Sequence, residues 1–93
     1  MAFFVGSGSH QKAFEATIDP TSVNAGSVSV ETFSVTGLGD EANAVYVQAP
    51  SLEAGLFIVG AKITDLNTLE LSIWNSTGAP VDPASQTIKI LVF

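Results

Sequence analysis

Residues 56–75, LFIVGAKITDLNTLELSIWN, decide how this chain folds. Side chains of a strand point alternately to opposite faces, so in residues 68–75 Leu69, Leu71 and Ile73 share one face while Thr68, Glu70, Ser72 and Trp74 share the other. In residues 57–64 the same rule groups Phe57, Val59, Ala61 and Ile63 against Ile58, Gly60, Lys62 and Thr64. Asp65-Leu66-Asn67 between them has the length and polarity of a hairpin connection. The hairpin is thus expected to present one continuous apolar side. Two strands alone are marginal in water, so the rest of the chain must cover that side.

The remainder has the means to do so. Leu, Ile, Val and Phe make up 29 of the 93 residues, enough for one core, and no compositional break divides the chain. Cysteine is absent, so packing must hold the fold in place of disulfides or thiolate metal sites. Residues 1–5, MAFFV, have no basic stretch before them and give way at once to Gly6-Ser7-Gly8-Ser9, which reads as neither signal peptide nor membrane span and points to synthesis in the cytoplasm. Three lysines, no arginine and nine carboxylates give a net charge of −6, which argues against nucleic-acid binding because phosphates are neutralised by Lys and Arg. Charged residues are only 13% of the chain. A surface so rich in uncharged polar groups suits either simple solubility or a subunit whose exterior is covered in an assembly.

Along the chain, residues 13–18 set Phe14, Ala16 and Ile18 against Glu15 and Thr17, a half-buried strand stopped by Asp19-Pro20-Thr21-Ser22. After the turn Asn24-Ala25-Gly26, a strand over residues 28–36 puts Val28 and Val30 on one face and Phe33 and Val35 on the other; a β-bulge near Glu31-Thr32 is expected to bring all four inward. Residues 37–43 form a loop, 44–49 a strand ended by Pro50, and Leu52 and Leu56 anchor a connector. Gly60, inside a strand, marks a bulge or the close approach of another backbone. Asp82-Pro83-Ala84-Ser85 repeats the turn chemistry of residues 19–22 before a last strand over 87–93, with Ile88, Ile90 and Val92 inward. Six strands, or seven if residues 2–5 add one, with short turns and no helical period, specify an all-β domain, a small antiparallel β-sandwich or barrel over 13–93 behind an N-terminal arm, 1–12.

No constellation of residues announces a chemistry. His10, the one histidine, lies in the Gly/Ser spacer, where a Ser9/His10 pair has no third group to orient it. Asp40 and Glu41 are adjacent carboxylates, far short of the six or more oxygens a calcium ion takes. Asn75-Ser76-Thr77 has the form of an N-glycosylation acceptor and is read as turn composition. No catalytic, cofactor-binding or metal residue is assigned, and neither enzyme activity nor a membrane partner is expected. The candidates are apolar residues for contacts between subunits: Ile58, Trp74, Leu91 and Phe93, which alternation places outward, and Phe3, Phe4 and Val5 of the arm. Against this stands a second face packed within the same domain, and an arm that is a strand of its own sheet. Trp74 beside Asn75, Ser76 and Thr77 reads either as a stacking platform for a sugar or as a cap on the core.

Thr32-Phe33-Ser34-Val35-Thr36-Gly37-Leu38, Val45-Tyr46-Val47 with Pro50, Leu52-Glu53-Ala54-Gly55-Leu56, Gly60-Ala61, and Asn75-Ser76-Thr77-Gly78 leading to Asp82-Pro83-Ala84-Ser85 carry a resemblance over residues 28–93. Together they resemble short virion proteins of tailed bacteriophages and prophages. The resemblance implies a structural head decoration or cement protein on the capsid exterior, partnered by the major capsid protein and by other copies of itself in a homo-oligomer. It leaves open a fibre or tail module that binds a glycan or receptor through Trp74. Residues 1–12 fall outside it and are read as a clamp on neighbouring capsomers.

Overall fold

The computed structural model describes residues 12–40 and 44–93. Six strands, β1 (Lys12–Ile18), β2 (Val28–Ser34), β3 (Val45–Gln48), β4 (Leu56–Asp65), β5 (Thr68–Asn75) and β6 (Gln86–Val92), form two antiparallel three-stranded sheets. Their orders are β1-β6-β3 and β2-β5-β4, and no helix occurs among the described residues. The all-β reading holds, as a sandwich of two sheets. Lys12 belongs to β1, whereas Phe3, Phe4, Val5, His10 and Glu41 lie outside the described residues.

The central strands are those with the most regular alternation. Leu69, Leu71 and Ile73 of β5 and Ile88 and Ile90 of β6 are at most 2% exposed and share one core with Ile18, Val23, Val35, Leu38, Leu56 and Val92. Burying each such side chain stabilises the fold by roughly 1.5–3 kcal/mol, so these five carry much of the driving force.

The bulge lies in a different strand from the one expected. β2 pairs with β5 without interruption from Val28↔Trp74 to Ser34↔Thr68, so Val28 and Val30 point outward while Phe33 packs on the core. In β4 the register slips between Ile58 and Gly60 and again between Ile63 and Asp65. Val59 is the extra residue of the first slip, and an extra residue resets the phase of the strand. Leu56 and Ile58 therefore face the core together with Ala61 and Ile63, and Phe57 and Val59 face solvent. This corrects the strict alternation that grouped Phe57 and Val59 with Ala61, and it turns Ile58 inward. Gly60, flagged by its position in a strand, adjoins the slip.

The two Asp-Pro segments face each other. The β1–β6 ladder runs from Lys12↔Val92 to Ile18↔Gln86, lapses, and resumes at Val23↔Val81 in the same register, with N–H···O distances of 2.8 and 3.0 Å. Pro20 and Pro83 have no N–H to give, so the ladder cannot run through them. Past Val23 the chain leaves this sheet, and by Ser27, whose carbonyl accepts from Asn75 N at 3.0 Å, it has joined the other.

At the opposite end, the β4–β5 turn sets Asn67 at φ 54°, a conformation asparagine tolerates better than most residues. Its N–H donates to Gly39 O at 3.0 Å, its Oδ1 accepts from Gly39 N at 2.8 Å and its carbonyl accepts from Val35 N at 2.8 Å, which docks the loop after β2 onto the hairpin.

Candidate interaction surfaces

Inward-facing residues of β5 occupy odd positions, so the even ones line the outer face of the β2-β5-β4 sheet. Cross-strand register then sorts that face into rows. Val28, Trp74 and Phe57 form the first, and Val30, Ser72 and Gly60 the second, with Val59 beside it. Val28 is 52%, Val30 60%, Phe57 51%, Val59 56% and Trp74 39% exposed. The Phe57 and Trp74 rings lie 5.7 Å apart, tilted by 33°, within the range of a favourable aromatic pair. A third row holds Thr32, Glu70 and Lys62, where Lys62 Nζ stands 3.8 Å from Glu70 Oε2. That pair, with Lys62 exposed and Glu70 half-buried, adds little stability at this separation, but it leaves the row without net charge.

The outer face of the other sheet is narrower. Ala13, Leu91 and Tyr46 form one row and Glu15, Lys89 and Gln48 the next, around a shallow groove of about 350 Å³. Leu91 is half-buried there and Tyr46 exposed. Phe93 follows β6, exposed, with its N–H donating to Ala44 O at 3.0 Å.

The residues singled out from the sequence are thus dispersed. Trp74 and Leu91 occupy opposite outer faces, Phe93 sits beyond the end of β6, and Ile58 packs against the core, contrary to its expected outward direction. Sequence reasoning missed Val28, Val30, Phe57, Val59 and Tyr46. Gly60, read from the sequence as a bulge or a close approach, is the signal that bears on Phe57 and Val59, whereas Val28 and Val30 face outward because β2 pairs with β5 without a break.

Several polar groups at the proline end serve the fold. Asn75 is fully buried; its Nδ2 donates to Val23 O at 2.9 Å and Ala79 O at 2.8 Å, and its Oδ1 accepts from Thr77 N at 2.8 Å and Thr77 Oγ1 at 2.7 Å. The nitrogen a glycan would need is already bonded on both sides. Glu31 Oε1 accepts from Thr21 N at 3.0 Å, and Glu53 Oε2 from Ala84 N at 2.8 Å. Each carboxylate therefore takes the N–H that directly follows a proline where the ladder is broken. The bond from Ala84, with smaller help from Gln86, holds the Glu53 carboxyl below its ordinary value. Among the described residues no three His, Cys, Asp or Glu side chains gather as a metal site would need, and no helix is long and apolar enough to cross a membrane.

No family model, curated protein or solved structure matches this chain.

Proposed function

We propose that the chain is a non-enzymatic structural protein of a phage virion, a decoration or cement protein that binds the major capsid protein and other copies of itself on the outside of the head. The observation that supports this is the outer face of the β2-β5-β4 sheet, where Val28, Val30, Phe57, Val59 and Trp74 stand together in solvent. Contiguous apolar side chains rimmed by polar ones mark contact surfaces on proteins that work in assemblies. The Lys62–Glu70 pair beside them adds no net charge that a partner would have to neutralise. The test is the copy number of the chain in purified particles, by quantitative mass spectrometry against the major capsid protein. A simple ratio to capsid subunits supports decoration, and absence from particles overturns it.

The Phe57–Trp74 pair supports a second reading, a glycan- or receptor-binding module of a fibre or tail. Two adjacent exposed rings make a broader stacking platform than Trp74 alone. Glycan-array binding that is lost in Trp74→Ala, with a handful of copies per particle, favours this reading over decoration.

A further inference from the structure

We propose that the groove on the outer face of the β1-β6-β3 sheet is filled by the chain's own N-terminal segment, with Phe3, Phe4 and Val5 folded back over β1 and β6. The inference goes beyond the capsid reading and does not depend on it.

The groove, of about 350 Å³, has an apolar half and a polar half. Ala13, Leu91 and Tyr46 share a row in the first, and Glu15, Lys89 and Gln48 share a row in the second. Tyr46 is 57% exposed, and Phe93, 44% exposed, extends the apolar half toward the same end of the sheet. Alternation sets Phe93 on the face of Leu91, and its bond to Ala44 O holds it beside β3. This is the end at which the chain enters β1, where Lys12 pairs with Val92. Ala13, the second residue of β1, already lines the groove, so the sequence before Lys12 starts at the groove wall.

That sequence suits the space. Phe3, Phe4 and Val5 are three consecutive large apolar residues with no charge among them, and six residues, Gly6 to Gln11, separate them from β1. Neighbours on extended backbone point to opposite sides, so Phe4, or Phe3 together with Val5, meets the sheet. A groove near the small end of the range for ligand pockets takes one or two such side chains. A reversal onto the sheet needs positions that accept either sign of φ, and Gly6 and Gly8 supply them.

Reach selects this face over the other. Seven peptide steps from Val5 to Lys12 span about 25 Å at most, and two interstrand spacings cross the β1-β6-β3 sheet in about 10 Å. More than half of the tether is left for the turn. The row of Val28, Trp74 and Phe57 lies on the opposite sheet and at the proline end. Getting there takes about 20 Å along the strands and about 10 Å from sheet to sheet, nearly the whole tether before the chain has turned. Docking within one chain also has an effective concentration in the millimolar range, which a second copy in dilute solution does not match.

Limited chymotrypsin digestion of the full chain, read by mass spectrometry, tests this, because cleavage after Phe3 or Phe4 tracks the undocked fraction. Leu91→Ser and Tyr46→Ser should each speed that cleavage at least about threefold while Phe33 in β2 stays uncut and circular dichroism shows a folded domain. Trp74→Ser, on the opposite outer face, should leave it unchanged. The wild-type rate should be the same at every protein concentration from about 1 µM to about 100 µM. In amide NMR spectra, Phe3→Ser combined with Phe4→Ser should shift the signals of Ala13, Tyr46 and Leu91 and spare those of Val28 and Val30. A wild type cut as fast as the groove variants overturns the proposal, as does an absence of shifts at the groove residues. Protection that rises with concentration makes the occupant a second copy's segment, and release by Trp74→Ser places the segment on the other face; either result overturns it. A segment that docks as described in a chain absent from particles overturns only the decoration reading.

Discussion

Asn75 and Val23 are joined across the proline end of the sandwich by an Nδ2–H···O bond of 2.9 Å, with both residues at most 1% exposed. Val23 is where the chain leaves one sheet, and Asn75 is the last residue of the central strand of the other. Asn75→Ala removes four hydrogen bonds and leaves the Thr77 N–H without its acceptor, while the Ala79 carbonyl keeps the Thr77 hydroxyl and the Val23 carbonyl keeps the Val81 N–H. Each such loss costs about 1–3 kcal/mol when the group stays dry, so a total loss of about 3 kcal/mol, seen as a melting temperature lowered by more than 10 °C, is expected. Asn75→Asp keeps the acceptor for Thr77 but turns a carboxylate toward two carbonyls. That carboxyl will be pushed above the ordinary aspartate value, so the variant should lose stability as pH rises above about 4 and be closest to wild type in acid. A pH-independent defect in chemical denaturation would show that the donor bonds are not what matters.

Gly55 packs directly against Thr77. Its φ is +86°, and a Cβ there would fall on the Thr77 methyl, while its carbonyl accepts from both Ser76 N and Ser76 Oγ at 2.9 Å. Gly55→Ala combines a left-handed backbone, worth about 1–2 kcal/mol, with overpacking worth about 1–3 kcal/mol. Gly78→Ala, where an added Cβ meets nothing within 4 Å, should be neutral or slightly stabilising. Thr77→Ser removes the obstructing methyl and keeps the hydroxyl, so Gly55→Ala in that background should recover the overpacking part only. Thermal denaturation of the four proteins closes this cycle, and strict additivity would refute the clash.

The alternation of Leu69, Leu71 and Ile73 was legible because a central strand paired on both sides has no freedom to slip. The ends of strands, the stop at Asp-Pro and the hairpin turn were legible for similar local reasons. What escaped was phase. Val28 and Val30 look like core residues in a linear reading, and assigning β2 a bulge rescues them only if apolar residues must be inside. The candidate surface exists because that assumption fails on this sheet. The pairing of the two Asp-Pro segments and their carboxylate partners, Glu31 and Glu53, lies 10 residues apart in one case and 31 in the other, and no local pattern announces either.

Glu53 makes the acid limb of stability partly its own. Its carboxyl is held below about 4.5 chiefly by the Ala84 N–H, so the native state binds its proton less readily than the unfolded chain. A depressed carboxyl contributes stability that is complete above the unfolded value and is lost as pH falls through the folded one. Glu53→Gln should therefore differ from wild type most above about pH 5 and converge with it in stronger acid. Urea midpoints measured across that range test this, and a gap that stays constant with pH would mean the residue acts by shape alone.

The slip at Val59 has the sharpest consequence of all, because it exchanges the roles of neighbours. Ile58 packs on the core opposite Ile73, whereas Val59 is 56% exposed. Strict alternation predicts the reverse. Ile58→Ala should destabilise by about 2–3 kcal/mol, near the low end for a large-to-small core change because the site is only partly buried. Val59→Ala and Val59→Thr should stay within about 0.5 kcal/mol of wild type, as surface substitutions do. Equal losses at both positions would mean that β4 runs without the slip, and with it would go the outward direction of Phe57 and Val59 on which the candidate surface depends.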